Sequence, residues 1–421
     1  MAANANSKKT TKDLILDAAF SFTKEPRFTA FSMSELAERV GISKAAIYRH
    51  YESKEAVFDA MNERFFNTFA ELLLRLQKSC YSNPDIMPLI PFEDIIAFFA
   101  DNVAYINFFI GSMANDSSFE KRFGKELENR GVTMLKYIQY DADDKETGTP
   151  ERFARLIESF YCGTSIFIFT KLREKMIQEG AKVDSVADFS KKIVELFTKG
   201  LEGTCRTSSR FYPQGLSEKR MDEIDKMCRI NPEDFPEEDR FFTALANVIK
   251  KYSFSGVTIE KIADEMNLAK SSLYSHFENK NKLITEQIRR ELFLMQTIVM
   301  ENCAEGKNFS EYLYIKIRSE FEYFMMRPSI IPICGWLLMS DEENPFFVED
   351  CEDVKKIFNK KVQEKNGPDL GIPLSNELIE FWIAALPVAL ITQGQAHGLK
   401  RDDFGKALRI IQRFVEYGID K

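Results

Sequence analysis

The chain has 421 residues, a formal net charge of −8 and seven scattered cysteines. This length is typical of two or three domains. The cysteines form no Cys-x-x-Cys pair and have no histidine cluster beside them, so the sequence predicts free thiols and neither a metal nor a cofactor. The first eleven residues are polar, and the apolar runs are shorter than the roughly 20 residues of a membrane span. We therefore expect a cytoplasmic protein with no membrane partner.

The dominant feature of the sequence is an internal repeat. Residues 31–58 align with residues 257–284 without a gap. A preceding helix, predicted from an apolar stripe between Ile15 and Phe22, recurs at the same offset between Phe241 and Val248. Self-similarity over such a distance indicates two copies of one structural unit. The chain therefore divides into two homologous halves.

Each copy predicts two short helices joined by a sharp turn. Residues 32–40 carry apolar side chains at helical spacing. Gly41, or Asn267 in the second copy, suits the positive φ angle that such a turn requires. Residues 44–51 start again as a helix that buries Ile47 and Tyr51 and leaves a polar, partly basic face. This pattern predicts a helix-turn-helix.

Residues 41–57 resemble the signature of the TetR/AcrR family of transcriptional regulators, and residues 267–283 resemble it again. In that family the second helix of the motif enters the major groove of DNA. The resemblance implies DNA contacts in the first copy by Lys44, Ala45, Ala46, Tyr48, Arg49, His50 and Lys54. In the second copy it implies contacts by Lys270, Ser271, Ser272, Tyr274, Ser275, His276 and Lys280.

The two copies carry different side chains on the face predicted to read bases. Arg49 could offer a bidentate pair of donors to guanine, whereas the second copy has Ser275 there. We therefore expect two unequal half-sites and a non-palindromic operator. The heads are also the least acidic parts of the chain, since residues 1–65 hold ten Lys and Arg against nine Asp and Glu, and residues 240–290 hold nine against five.

The histidines could suggest a metal or catalytic site, but neither repeated histidine has a carboxylate or cysteine at ligand spacing. A phosphate contact suits His50 and His276 better. His397 receives no role. The sequence contains no phosphate-binding glycine loop and no nucleophile elbow, so we expect no enzymatic activity.

The remainder of each half predicts long helices. The repeat continues to the end of each half, where residues 158–170 match 380–392 and residues 196–201 match 414–419. In the family, these last two helices form a four-helix dimer interface. The predicted fold class is all-α, with two tandem TetR-like units packed as an intramolecular pseudo-dimer within a monomeric chain. The predicted domains are a first DNA-binding head (1–60), a first helical regulatory domain (61–205), a linker (206–236), a second head (237–286) and a second regulatory domain (287–421).

Aromatic and methionine stripes in the regulatory domains suggest ligand sensing, although a helical core explains them equally well. The weak candidates for ligand contacts are Phe98, Phe109, Met113, Phe324 and Trp336. An effector among such side chains would be apolar or aromatic.

The sequence thus predicts a ligand-responsive repressor that binds double-stranded operator DNA. One alternative is an adaptor or coactivator with the same fold, which acts through a protein partner and binds DNA weakly or not at all. A second alternative is a ligand carrier without DNA binding, which the repeated lysines of the two heads disfavour.

Overall fold

The computed structural model describes residues 9–24, 31–80, 92–115, 119–134, 140–146, 148–178, 180, 182–204, 216–252, 256–269, 280–333 and 376–419. These residues form helices, turns and short connections, with no β-strand among them. The predicted all-α fold class is confirmed. Within the same ranges no single helix is long and apolar enough to cross a membrane; Phe92–Asp101 and Val103–Ser112, bent by 97°, reach that length only as a pair.

The first unit begins with three short helices and continues with longer ones. The short helices are α1 (Thr11–Ser21), α2 (Met33–Val40) and α3 (Lys44–Tyr48). The longer ones are α4 (Lys54–Cys80), α5 (Phe92–Asp101), α6 (Val103–Asn115), α7 (Phe119–Asn129), α8 (Pro150–Gln178) and α9 (Val186–Thr204).

The second unit repeats this order as far as it is described. It contains α11 (Arg240–Tyr252), α12 (Ile259–Glu265), α13 (Lys280–Ala304), α14 (Phe309–Met326), α15 (Asn376–Ala396) and α16 (Arg401–Tyr417). Between the units lies α10 (Glu218–Met227), which begins where Ser217 Oγ accepts a hydrogen bond from the Arg220 amide at 3.3 Å.

The core of the first regulatory domain is a cluster of aromatic rings from α4 to α7. Phe98 lies 5.6 Å from Phe69, and Phe109 lies 5.0 Å from Phe123, between ring centroids. These two ligand candidates therefore pack against other rings. In the second unit Phe324 is only 2% exposed. The Met113 side chain and Trp336 lie outside the described residues.

Helix α14 is buried on every side, although it carries several charges. Residues 309–324 are all buried. Lys316 pairs with Glu320, and Arg318 Nη2 lies 2.5 Å from Glu322 Oε1. Burial of an unpaired charge costs several kcal/mol or more, so these pairs along one helix are what permit its central position.

Helices α8 and α9 of the first unit pack directly against α15 and α16 of the second. The indole Nε1 of Trp382 donates to Ser165 Oγ at 2.6 Å, and both side chains are buried. The ring of Phe414 lies 5.9 Å from the rings of both Tyr161 and Phe197. The four helices form one bundle with a shared apolar interior.

At one end of this bundle the two main chains touch. Gly200 has φ 60° and ψ −169°, and Gly418, its counterpart in the second unit, has φ 81° and ψ −172°. Only glycine adopts this region readily. A Cβ atom on Gly200 would overlap the backbone of residues 416–417, and one on Gly418 would overlap the backbone of Thr198. Beside this crossing the Ile419 amide donates to the Phe197 carbonyl oxygen at 2.8 Å.

We expect Gly418→Ala to lower the free energy of unfolding by about 2 kcal/mol or more, because the added methyl group meets both strain and backbone overlap. Gly163→Ala is the matched control. Gly163 is an exposed glycine in α8, and a Cβ there meets no atom within 4 Å. That control should be neutral or stabilising by up to about 1 kcal/mol. Urea unfolding of the full chain measures both effects, and equal stabilities for the two variants would contradict the crossing.

Candidate nucleic-acid interface

The first head is shaped by a capped helix and a left-handed turn. Ser32 and Glu35 form a reciprocal capping box at the start of α2, with hydrogen bonds of 3.1 and 2.6 Å. Gly41 ends the helix at φ 77°. The amides of Gly41 and Ile42 both donate to the Ala37 carbonyl oxygen at 3.0 Å. The Gly41 amide also donates to the Glu38 carbonyl oxygen at 3.1 Å, so carbonyl groups at the end of α2 are satisfied as the chain turns into α3.

Helix α3 is shorter than the sequence predicted, because it ends at Tyr48 and not at Tyr51. Its first turn is capped by Ser43 Oγ, which accepts from the Ala46 amide at 3.2 Å. Beyond Tyr48 the amides of His50 and Tyr51 both donate to the Ile47 carbonyl oxygen, so a tight turn continues the helix. Ile47 is fully buried and Tyr51 is 4% exposed, as the sequence pattern predicted.

The side chains expected to contact DNA share one exposed surface of this motif. Tyr48 keeps 44% of its surface exposed although it is a large aromatic residue. The exposed members of the group are Lys44, Ala45, Tyr48, Arg49 and His50, while Ala46 is half-buried. We call these six residues the recognition face. Its exposed side chains offer two cations, a phenol hydroxyl and an imidazole to a ligand outside the protein.

Lys54, the remaining candidate of the first head, lies at the start of α4. Its ammonium group lies 5.2 Å from the ring centroid of Phe31 and 5.7 Å from that of Phe58. Partial burial lowers the pKa of Lys54 below its usual value. The two rings hold the ammonium group near the first turn of α4, where helix amides also point outwards.

Arg39 joins the first two helices of this head. Its guanidinium group lies 3.6 Å from the ring centroid of Phe22 and donates to Ser21 Oγ at 3.1 Å. Phe22 stacks on Phe31 at 4.7 Å. Because α1 and α2 are joined in this way, the recognition face is carried by a rigid support.

The second head repeats this geometry up to the turn. Asn267 has φ 55°, and the Leu268 amide donates to the Ala263 carbonyl oxygen at 2.9 Å, as in the first copy. Asn247 Nδ2 donates to Glu265 Oε1 at 3.0 Å. In the alignment of the two copies, these residues correspond to Ser21 and Arg39 of the first head. The predicted contacts Lys270, Ser271, Ser272, Tyr274, Ser275 and His276 lie outside the described residues. Lys280 begins α13, but its side chain is likewise outside them.

The described residues contain no group of three or more His, Cys, Asp or Glu side chains that could hold a metal ion. His50 is exposed on the recognition face. His397 packs its ring 5.2 Å from that of Phe160.

Comparison with known proteins bears on both heads. The family model described as "Bacterial regulatory proteins, tetR family" matches residues 15–61 and again residues 242–286. The biofilm operon icaADBC HTH-type negative transcriptional regulator IcaR of Staphylococcus epidermidis is 34% identical over 71 residues, which cover 17% of this chain and 38% of that protein. IcaR of Staphylococcus aureus strain Newman is 24% identical over 160 residues, or 37% of this chain and 84% of that protein.

The chain belongs to the TetR family of transcriptional regulators, with two tandem TetR-like units. The predicted family and the tandem organisation are thereby confirmed. The family is generally non-enzymatic. The individual DNA contacts stay a prediction, as do the domain boundaries.

In the first TetR-like unit, the head is attached to the regulatory domain mainly through aromatic rings. The ring of Phe20 in α1 contacts those of Tyr105 and Phe108 in α6, at 4.9 and 5.4 Å. Thr23 Oγ1 donates to the Ala104 carbonyl oxygen at 3.2 Å. Helix α6 thus touches the head directly.

In the second TetR-like unit, the head is attached through residues 216–239, which we call the connecting segment. Asp225 accepts from the Tyr314 hydroxyl at 2.8 Å, and Arg220 Nη2 lies 2.8 Å from Glu311 Oε2. Further along, the Phe235 ring lies 5.4 Å from that of Tyr323. Arg327 donates to the Pro236 carbonyl oxygen. The connecting segment therefore follows α14 over most of its length, up to the start of the second head.

The left-handed turn generates a stability prediction. Gly41→Ala should destabilise the chain by about 1 kcal/mol, because an alanine at φ 77° is strained although the space for its methyl group is open. Gly41→Asn should cost clearly less, since asparagine occupies the same turn at position 267. Thermal unfolding followed by circular dichroism would compare the two variants. Equal losses for alanine and asparagine would contradict this account of the turn.

Proposed function

We propose that this chain is a repressor that binds one operator with both heads. The observation that carries the proposal is the recognition face of the first head, which is exposed, capped and rigidly supported. Lys44 and Lys54 supply positive charge for phosphates, and Arg49 supplies a planar pair of donors for a base edge. The repeat of the same turn around Asn267 supports a second head of the same kind.

Repression is inferred from the relatives. The two staphylococcal IcaR proteins are named as negative transcriptional regulators. A repressor needs only to occupy its operator tightly, and two heads linked in one chain increase affinity through effective concentration. This makes repression the simplest role for a chain with two DNA-binding heads.

We infer that the chain acts as an intramolecular pseudo-dimer. In support, α8 and α9 pack against α15 and α16 through buried side chains such as Trp382 and Phe414. The crossing at Gly200 and Gly418 also relates the two units by near-symmetrical contacts. One chain would then provide the two heads that two subunits otherwise contribute.

Unequal half-sites are part of this proposal. The side chains that read bases differ between the copies, with Arg49 opposite Ser275 and two alanines opposite two serines. Two heads with different donors favour different base edges. A homodimer prefers a palindrome because its two heads are identical. The two heads of a single chain can differ, so this chain has no such preference.

We also expect a response to an apolar or aromatic effector. Phe98, Phe109 and Phe324 are held among other side chains, so an apolar molecule beside them requires the core to open. An increase in melting temperature with any lipophilic compound would support such a response.

The alternative is a TetR-fold adaptor that acts through a protein partner. The acidic net charge and the serine at position 275 favour it. Measurement of DNA affinity at several salt concentrations distinguishes the repressor from the adaptor, because phosphate contacts make the affinity of a DNA-binding protein fall steeply with salt.

The proposal predicts that Lys44→Ala weakens binding to all DNA and lowers the slope of log affinity against log salt by about 1. Arg49→Ala should instead cost about 1–3 kcal/mol on the preferred operator and relax selection at one base pair. Lys78→Ala is the charge-matched control, since Lys78 is exposed and lies about 36 Å along α4 from Lys54. Fluorescence anisotropy titrations at several salt concentrations measure all three. A Lys44→Ala effect no larger than that of the control would contradict the interface.

Enrichment of random duplex DNA on the purified chain should recover a motif with two unequal parts. Lys44→Ala and Lys270→Ala should each weaken binding to that motif, because each removes a contact from a different half-site. A perfect inverted repeat would contradict the unequal half-sites. Absence of any enrichment above non-specific binding would favour the adaptor, and a silent Lys270→Ala would mean that the second head does not dock.

A further inference from the structure

A cavity of about 660 Å³ opens where three parts of the chain meet. The first unit contributes Tyr140 and the segment 148–153, which leads into α8. The connecting segment contributes Glu218, and the second unit contributes the first three turns of α16. The cavity is separate from the aromatic core of the regulatory domain. A molecule bound in it would contact both units and the segment that joins them.

One wall of the cavity is aromatic and apolar. The rings of Tyr140 and Phe153 meet edge to face at 5.1 Å. Phe153 is 6% exposed and Tyr140 is half-buried, so the pair is fixed against the protein while part of the tyrosine remains accessible. Pro150 and Ile410 extend this wall. Such a surface suits the apolar part of a small molecule, and its rings suit a neighbouring cation.

The remaining charged residues of the lining are three carboxylates, Glu218, Asp402 and Asp403, and two cations, Lys406 and Arg409. Lys406 Nζ lies 3.7 Å from Asp403 Oδ1, which leaves Asp402 available to a ligand. The guanidinium group of Arg409 is already shared among carboxylates outside and inside the cavity. It bonds to Glu218, to Asp222 at 2.6 Å and to Asp225 at 2.9 Å. Its positive charge is therefore more than neutralised before any ligand arrives.

Tyr140 lies in the same negatively charged environment. Its pKa is raised by partial burial and by the negative charges of Asp403, Asp141 and Asp143. The last two belong to the exposed loop that follows Tyr140. Negative charge thus approaches the aromatic wall from both units, which favours a positively charged ligand beside the phenol ring.

Two helices begin at the cavity, and their amides could in principle attract an anion. At both helix starts, oxygen atoms of the chain itself already accept hydrogen bonds from backbone amides. Thr149 Oγ1 accepts from the Arg152 amide at 3.3 Å at the start of α8. Asp403 Oδ2 accepts from the Lys400 amide at 3.0 Å at the start of α16. The negative charges of Asp402 and Asp403 also offset the positive end of the α16 helix dipole.

We propose that this cavity binds an organic cation that carries an aromatic or branched alkyl group. The cationic centre lies between Asp402 and the Tyr140 ring, and the apolar part rests against Phe153 and Ile410. The site regulates DNA binding because the connecting segment continues from Glu218 along α14 to the second head. Recognition of the cation itself does not require the proposed DNA-binding function, whereas the regulatory consequence rests on it.

Three probes of similar size and different charge test the site on the full chain. Benzyltrimethylammonium is the cation, neopentylbenzene is its neutral isostere, and benzenesulfonate is an anion with the same ring. Isothermal titration calorimetry without DNA should detect the cation alone, with an affinity that falls as salt rises. Equal binding of neopentylbenzene, or tighter binding of benzenesulfonate, would overturn the proposal.

Matched variants locate the site. Asp402→Asn should weaken binding of benzyltrimethylammonium by about threefold, and Tyr140→Leu by about threefold to tenfold, because each removes one attraction of moderate size. Tyr140→Phe should retain most of the affinity, since the ring remains. Asp94→Asn is the control, an exposed carboxylate on α5 that does not line the cavity. An unchanged melting temperature verifies that each variant is folded, and equal affinity in all variants would refute the site.

The two proposals fail separately. Binding of the cation to a chain that does not enrich any DNA motif would refute the repressor and leave the cation site intact. Specific DNA binding without any response to benzyltrimethylammonium in either assay would refute the cation site and leave the repressor intact. When both hold, rising cation concentration should change operator affinity in the parent chain, and the same change in Tyr140→Leu should need about threefold to tenfold more cation.

Discussion

The approach of two main chains at Gly200 and Gly418 constrains the rest of the molecule. No side chain separates α9 from α16 there, so the register between the units is set by backbone atoms and by the hydrogen bond from Ile419 to Phe197. Packed interfaces of this kind shift between discrete arrangements and do not slide continuously. The bundle consequently fixes the relative orientation of both regulatory domains. Any change that reaches the heads has to change this bundle or the contacts between each head and its own unit.

The contacts between each head and the rest of its own unit differ, although the sequence repeat relates the two units. The first head rests on α6 through Phe20 and its neighbouring rings, whereas the second is held by the connecting segment through Phe235 and Arg327. Rings tolerate small rotations with modest energetic cost, but a buried guanidinium group loses specific partners when it moves. One perturbation of the bundle therefore has unequal effects on the two heads. A homodimer of identical subunits has no such asymmetry in its free state.

Local rules predicted the parts of the fold that depend on local chemistry. The positive φ angles at Gly41 and Asn267 and the burial of Ile47 followed from turn preference and apolar spacing. The premature end of α3 at Tyr48 did not, because helix ends depend on hydrogen bonds that spacing does not encode. The ion pairs between the connecting segment and α14, such as Arg220 with Glu311 and Asp225 with Arg318, were also missed, as was the cavity at Tyr140. These ion pairs join residues more than 80 positions apart, and no periodic pattern identifies which distant carboxylate meets a given arginine.

The connecting segment is more than a tether between two folded units. Buried ion pairs contribute little net stability compared with apolar packing, but removal of one partner leaves an uncompensated charge in the interior. Asp225 lies beside Arg318 at 3.4 Å, and Arg220 beside Glu311, which is 6% exposed. Loss of α10 from the surface of α14 would expose these charged groups to solvent or leave them buried without an ion-pair partner. The second unit thus depends for its own interior on a helix that precedes its head, and the path of the connecting segment is fixed by the same contacts that complete the second regulatory domain.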